Sequence, residues 1–309
     1  MKTTMVAKRI IIVLLLILGL FQFFYPSSAL AGDGQKLEQT GSIAAPITND
    51  SNVDKQWGLQ RIQGLVVEPT ETKEILVAVL DTGIDQQHPD LVGKVVGSIN
   101  FSDSQVVTDY LGHGTHIASI IAANGGNNVG IVGAAPNARL LNVKIADDKG
   151  MIWASTTAKG IIWAVDNGAE IINMSLAMPA ATPALEEAVN YAWSKGVVII
   201  AAAGNTGSSI PTYPASCPNV IAVAATDING SLWEKSNHGD WVNAYAPGAE
   251  IYSALPGNSY GYMSGTSMAT AYVTAVAALE LPTVTDDDGD GFVNDEVNDV
   301  LKTIFALPR

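Results

Sequence analysis

Cysteine is nearly absent: Cys217 is the only one in 309 residues. A lone thiol closes no intramolecular disulfide, which excludes a small scaffold stapled by bridges. It also leaves no cysteine-rich zinc site. Positive charge is scarce as well, with 16 Lys and Arg against 30 Asp and Glu and a formal net charge of −14. Phosphate recognition needs clustered cations, so this balance argues against nucleic acid as a partner. Charged residues of both signs make up only 15% of the chain and hydrophobic ones 48%, too apolar for disorder. The length supports one large domain or two small ones with an ample core.

Part of that apolar content lies at the start. Lys2, Lys8 and Arg9 precede an apolar run over residues 10–24, broken by Pro26 and followed by Ala29-Leu30-Ala31. A basic, apolar and small-residue order is that of a secretory signal peptide over residues 1–31, cleaved before Gly32. The alternative is an uncleaved membrane anchor, although the run is short for a span of about 20 residues. Removal of the leader takes the charge from −14 to −17, because residues 1–31 hold three bases and no acid. Residues 32–54 are polar, lack a sustained period, and read as a flexible arm. One folded domain is expected over residues 55–309.

From Trp57 onward, short apolar runs alternate with helical patterns. Residues 75–80, 140–145, 171–174, 197–203 and 220–224 are Val-, Ile- or Ala-rich, as fits strands buried on both faces. Residues 154–166 place Ala158, Ile161, Ile162 and Val165 on one helical face. Residues 183–195 open with Thr182 as N-cap and Pro183 at the first helical position, and Gly196 follows as a stop. A further helix is expected over residues 293–305. This rhythm predicts an α/β fold of three layers, a mostly parallel central sheet with helices on both faces. Sites in such sheets form at the carboxyl ends of strands, where Asp81 and Asn205 fall.

Three polar clusters need explaining. Val79-Leu-Asp81-Thr-Gly-Ile-Asp85 puts a carboxylate directly after a buried strand, which is costly without a partner. Taken alone it is also a common turn or cap. Gly112-His113-Gly-Thr-His116 sets a histidine between glycines that allow close approach. Two histidines three apart suit a metal, but no HExxH pattern accompanies them, and His116 reads better as a buried, hydrogen-bonded side chain. Ser264-Gly-Thr-Ser267-Met-Ala269 opens an apolar helix that Pro282 stops. Ser267 at its N-terminus is either an ordinary cap or a group placed where unpaired N–H donors favour negative charge. Together the clusters supply an orienting acid, a base and a nucleophile in the order Asp, His, Ser. A fourth segment, Ala201-Ala202-Ala203-Gly204-Asn205, delivers an amide N–H that can stabilise an oxyanion beside the Ser267 backbone N–H.

Val-Leu-Asp81-Thr-Gly-Ile-Asp, Gly-His113-Gly-Thr-His, Ala-Ala-Gly-Asn205 and Gly-Thr-Ser267-Met-Ala resemble the four blocks of the subtilases, the subtilisin-like serine proteases, across about residues 57–280. Gln56-Trp-Gly-Leu-Gln-Arg-Ile-Gln63 is similar to the start of the thermitase-like branch. The resemblance implies a serine endopeptidase in which Ser267 attacks, His113 moves the proton, Asp81 orients His113 and Asn205 binds the oxyanion. These roles come with the family, and so does the oxyanion asparagine as a known case. It further implies that extended substrate pairs with Ser175, Leu176 and Ala177 and with an edge from Gly150 to Ile152. Ala202 and Gly204 would wall the primary pocket. Main-chain pairing predicts broad specificity, with protein or peptide substrates, no nucleic acid, and a monomer.

The chain also departs from the family pattern. Ala177 and Met178 replace usual glycines, so a methyl narrows the primary pocket. Ala271-Tyr272 replaces Pro-His, read as a packing change. Residues 32–54 are expected to be too few for the folded propeptide of secreted relatives. Calcium is the expected cofactor, at two places. Asp90 with Asn127 of the loop Gly125-Gly-Asn127-Asn-Val-Gly130 resembles the family's strong site. Asp286, Asp288 and Asp290 sit at positions one, three and five of a loop over residues 286–297 that is EF-hand-like. Position twelve is Val297, with Glu296 one place early. A binding protein on an inactive protease scaffold, a surface-anchored protease and an esterase remain as alternatives. The first predicts a lost catalytic residue, the second a retained leader, and the third a different chain order.

Overall fold

Seven strands form one parallel sheet: β1 (Leu76–Asp81), β2 (Val95–Asn100), β3 (Arg139–Lys144), β4 (Ile171–Met174), β5 (Val198–Ala202), β6 (Ile221–Thr226) and β7 (Ala244–Pro247). Their order is β2-β3-β1-β4-β5-β6-β7, with registers such as Asp81 opposite Lys144 and Val79 opposite Asn173. The computed structural model describes residues 49–63 and 73–306. The expected leader and most of the expected arm lie outside the described residues. Five strands fall on the expected apolar runs, displaced by a residue or two. β2 and β7 are the additions. They are the edges of the sheet, so their sequences need not be continuously apolar. β2 alternates half-buried and exposed positions along its first four residues, and β7 tolerates Pro247.

Among the described residues six α-helices accompany the sheet: α1 (Trp57–Gln63), α2 (His113–Ala122), α3 (Ala154–Asp166), α4 (Pro183–Trp193), α5 (Thr266–Glu280) and α6 (Asn294–Ile304). Alternation along the strands sorts them into layers. Val77, Val79, Ile171, Val198 and Ile200 face a core shared with α1, α2, α5 and α6. Ala78, Leu80, Ile172, Ile199 and Ala201 face a second core shared with α3 and α4. The three-layer α/β expectation is therefore met. An antiparallel hairpin, β8 (Ile251–Leu255) with β9 (Ser259–Met263), precedes α5 and was not expected from the apolar pattern. Among the described residues no helix is long and apolar enough to cross a membrane.

Local chemistry explains the helices. Thr182 caps α4 by accepting from the Leu185 N–H, as expected. α3 has the expected bounds but a rotated face: Ile162 is 42% exposed, while Thr157, Ala158, Gly160, Ile161 and Ala164 are buried. Gly160 is the reason. A Cβ there would lie 3.0 Å from Ile145 and 3.1 Å from Val143, so the helix approaches the sheet along its smallest residues. α5 is buried continuously from Thr266 to Ala278, as a helix apolar on all sides must be. Tyr272 is buried on it, with its ring against Gly58 of α1, in line with a packing role.

The expected flexible arm ends earlier than residue 54. Asp50 is only 4% exposed and accepts from the N–H groups of Gly126 and Asn127. A carboxylate held by two backbone donors ties this segment to the domain.

Candidate active site

β1 lies where the strand order reverses, with β3 on one side and β4 on the other. Open α/β sheets leave a crevice at such a place. Asp81, the last residue of β1, is buried there. His113 opens α2 beside it, and the two flanking glycines have separate jobs. Gly112 takes a left-handed φ of 92°. Gly114 lets the helix close on the β1 loop, since a Cβ there would lie 2.1 Å from the Gly83 carbonyl oxygen. The His113 Nδ1–H donates to Asp81 Oδ1 at 2.7 Å. An ionised carboxylate only accepts, so Nδ1 carries the proton and Nε2 keeps its lone pair. Burial disfavours a charged imidazole, but Asp81, through charge and hydrogen bond, with help from Asp109, outweighs it. The His113 pKa therefore lies above its ordinary 6.5.

Ser267 is the second residue of α5 and is 7% exposed, buried but not sealed. Its Oγ donates to the Ser175 carbonyl oxygen at 3.1 Å, and no hydrogen bond joins it to His113 in this state. A buried chain fixes the backbone beneath it. Thr274 donates to Asn173 Oδ1, Asn173 Nδ2 to Ser175 Oγ, and Ser175 Oγ to the Ser267 carbonyl. Among the described residues the Ser267 N–H has no acceptor. This is the condition of a helix N-terminus open toward an anion.

Asn205 is exposed at the end of the segment following β5. Its Oδ1 accepts from the Thr266 N–H at 2.8 Å and from Thr266 Oγ1 at 3.0 Å. Two donors on one atom fix the amide orientation, because the flipped amide would oppose N–H to N–H. Nδ2 is thus left to donate elsewhere. Thr266 Oγ1 also accepts from the Gly204 N–H at 3.0 Å. Buried Asn237 holds the same loop, accepting from Thr206 and Ser208 and donating to the Ala203 carbonyl.

The expected substrate-contact residues divide into two groups. Among the described residues the N–H and C=O groups of Leu176 and Ala177 have no protein partner, as a free strand edge requires. A Cβ built on Gly204 lies 3.5 Å from the Ala177 methyl, so these residues face each other across a narrow gap, with Ala202 buried behind. The segment from Gly150 to Ile152 is paired in part. Gly150 donates to the Asp147 carbonyl, and Met151 exchanges both its backbone groups with Asp147, which sets Ile152 opposite Ala146 without a hydrogen bond between them. The sharp turn at Gly150, with φ 81°, leaves the Gly150 carbonyl and both backbone groups of Ile152 without a protein partner among the described residues.

Sequence reasoning missed Asp109, Thr266, Asn237 and Asp50. Each is an ordinary polar residue with at least one partner distant in the chain. The one available signal was the cost of burying such groups, and burial is not visible before folding. Cys217 is buried and its thiol is pushed up to about 11 by burial and, less, by Glu186, so it is no nucleophile at neutral pH. His116 is buried as expected, its Nε2–H donating to the Ile251 and Gly261 carbonyls.

Asp90 and Asp50 are buried around the 125–130 loop. Asp90 accepts from Asn127 Nδ2, the Ile131 N–H and the Tyr260 hydroxyl. Among the described residues neither acid pairs with Lys or Arg. Two buried carboxylates without a counter-charge, with amide oxygen nearby, fit a hard cation. In the acidic loop, Asp286, Asp288 and Glu296 bring one carboxylate oxygen each within 4.8 Å of one another. Asp290 is outside this cluster; its Oδ1 caps the Phe292 N–H. Val297 is buried in the core, which turns Glu296, one place earlier, back toward the loop, where it accepts from the Asp287 N–H.

Comparison with known proteins follows the same lines. Residues 72–303 match the subtilase family. The chain is 52% identical over 204 residues to a thermophilic serine proteinase of Bacillus sp. (strain AK1), covering 66% of this chain and 51% of that protein. It is 44% identical over 227 residues to thermitase of Thermoactinomyces vulgaris, covering 73% and 81%. It is 42% identical over 228 residues to subtilisin BL of Lederbergia lenta, covering 72% and 82%. The match thus spans about half the length of the first of these relatives and about four-fifths of the other two.

Proposed function

The chain belongs to the subtilase family, as a subtilisin-like serine protease of the thermitase-like branch, and from that premise we propose that it is a secreted endopeptidase of broad specificity acting through Asp81, His113 and Ser267. The observation that carries this is the Asp81–His113 pair at 2.7 Å, at the start of a helix packed on the buried helix whose open N-terminus holds Ser267. Asp81 holds the tautomer with Nε2 unprotonated. The Ser267 hydroxyl leaves the Ser175 carbonyl, gives its proton to Nε2 and attacks the scissile carbonyl carbon. Asp81 stabilises the imidazolium that forms, and His113 returns the proton to the leaving amine. The resulting acyl-enzyme is hydrolysed by water through the same steps. The Ser267 N–H and Asn205 Nδ2 receive the oxyanion.

Extended protein or peptide substrate pairs with the free backbone of Leu176 and Ala177, and its side chain enters between Ala177 and Gly204. Main-chain pairing selects little sequence. The Ala177 methyl favours small or narrow side chains at that position. Calcium would be held by Asp90, Asn127 and Asp50 and, at a second place, by Asp286, Asp288 and Glu296. It would supply the positive charge that these acids lack. Release through cleavage after Ala31 and a monomeric state complete the reading.

Casein hydrolysis by the wild type and by Ser267→Ala, with and without a serine-directed fluorophosphonate, tests it. Hydrolysis should stop in the variant and after the reagent. Unchanged hydrolysis by Ser267→Ala refutes the assignment.

A further inference from the structure

Asp109 is a buried carboxylate that the mechanism above does not use. It is 0% exposed, and it collects five donors. Its Oδ1 accepts from Thr82 Oγ1, the Leu111 N–H and the Gly112 N–H, each at 2.9 Å. Its Oδ2 accepts from the Thr115 N–H at 2.9 Å and Thr115 Oγ1 at 2.7 Å. Those donors fall into two groups. Leu111, Gly112 and Thr115 surround His113 at the start of α2. Thr82 is the residue after Asp81. Thr82 in turn accepts at Oγ1 from the Gly114 N–H at 2.9 Å, and its carbonyl accepts from Lys144 Nζ. Lys144 is itself fully buried and reaches Asp148 at 3.1 Å.

The two partners of the short Asp81–His113 bond thus come from separate elements, one strand end and one helix start, and Asp109 ties both together alongside the direct bond from the Gly114 N–H to Thr82 Oγ1. A helix start with free N–H groups needs such an acceptor, and an ordinary cap satisfies it locally. Here the same acceptor also reaches the β1 loop. We propose that Asp109 is a positioning residue of the catalytic centre, coupling the β1 loop to the α2 start through Thr82 and so holding His113 in register with Asp81. This inference rests on the peptidase reading.

The charges that bear on His113 are few. Asp81 on β1 and Asp109 ahead of α2 both favour its imidazolium. His116, one turn further along α2, is neutral at working pH, its pKa lowered to about 3 chiefly by burial. Lys144 is turned to the Thr82 carbonyl and Asp148. Removing the Asp109 charge therefore has a readout that simple loosening of the fold lacks.

The experiment measures kcat, KM and the pH profile on a chromogenic peptide for wild type, Asp109→Asn and Thr82→Val. An amide at 109 keeps the size but presents two donors to a ring of donors. Asp109→Asn should lower kcat about 10- to 100-fold, the range expected when reacting groups shift by up to an ångström, with KM within about twofold. The acid limb of kcat/KM should move to lower pH. Thr82→Val breaks the link and keeps the charge, so kcat should fall while the acid limb stays. A folded Asp109→Asn enzyme with kcat and acid limb unchanged overturns the inference. Should Asp109→Asn not fold, Thr82→Val decides: a lowered kcat at unchanged KM supports the coupling, and an unchanged kcat overturns it. A wild type that cleaves no peptide overturns the peptidase reading and this inference with it.

Discussion

On the proposed mechanism, Thr266 should carry a measurable share of transition-state stabilisation without touching substrate. Its hydroxyl accepts from the Gly204 N–H and donates to Asn205 Oδ1, both at 3.0 Å. Thr266→Val preserves shape and removes both bonds. Asn205 keeps the Thr266 N–H at 2.8 Å, so its amide is loosened, not released. Complete loss of such an oxyanion donor costs about 2.7–4 kcal/mol, a range taken from a member of this same family and carried over. Loss of one of two orienting bonds should cost less, about 1–2 kcal/mol, or roughly 5- to 30-fold in kcat. KM should hold, because the donor acts on charge that develops only in the transition state. The Gly204 N–H is left buried and unpaired, which adds about 1–3 kcal/mol of lost stability. Steady-state kinetics on a peptide anilide and chemical denaturation separate the two effects. Thr266→Ser keeps the hydroxyl and should retain most of kcat. A Val variant with kcat within twofold of wild type, or a Ser variant as slow as Val, refutes the reasoning.

Activity should fall on acidification through the raised pKa of His113, since attack needs its neutral form, so the acid limb of kcat/KM should lie above pH 6.5; a limb below 6.5 contradicts the Asp81 pairing. The two histidines affect stability with opposite signs. His113, raised, contributes stability present below about pH 6.5 and lost as pH rises through its folded value. His116, lowered to about 3 chiefly by burial, destabilises as pH falls from about 6.5, at roughly 1.4 kcal/mol per unit. His116→Gln, tested by urea unfolding at pH 7 and 4.5, should flatten that dependence by about 2–3 kcal/mol; an unaltered slope counts against a neutral buried His116. Gly58→Ala places a methyl 2.6 to 2.8 Å from the Tyr272 ring and should destabilise by about 1–3 kcal/mol through overpacking, read as a lower Tm. Calcium should raise Tm and a chelator lower it, and Asp50→Asn should blunt the response; a Tm indifferent to calcium removes the metal reading.

Much of the fold was legible because its signals are local. Thr182 and Pro183 announce the start of α4 whatever lies elsewhere, and the run from Val198 to Ala202 is apolar enough to be a doubly buried strand by itself. The edge strands β2 and β7 and the β8–β9 hairpin were not legible, since half-exposed strands need no continuous apolar run. The face of α3 was misjudged at Ile162 because the sheet meets the helix at Gly160, and side-chain size rather than hydropathy sets that approach.

The candidate site divides along the same line. Asp81, His113, Asn205 and Ser267 stand in short motifs whose residue types announce chemistry, so sequence alone determined which groups were on offer and in what chain order. Only the tertiary structure decided how they are held. The Oδ1 of Asn205 is oriented by Thr266, 61 residues away. Asp109 joins Thr82 to Thr115, and Asp50 reaches Asn127 across 77 residues. The exclusion of Asp290 from its acidic cluster is a decision of the same kind. Hydrogen bonds and buried charges take their value from desolvation, and which groups lose their water is settled by packing between distant segments, not by neighbours in the chain.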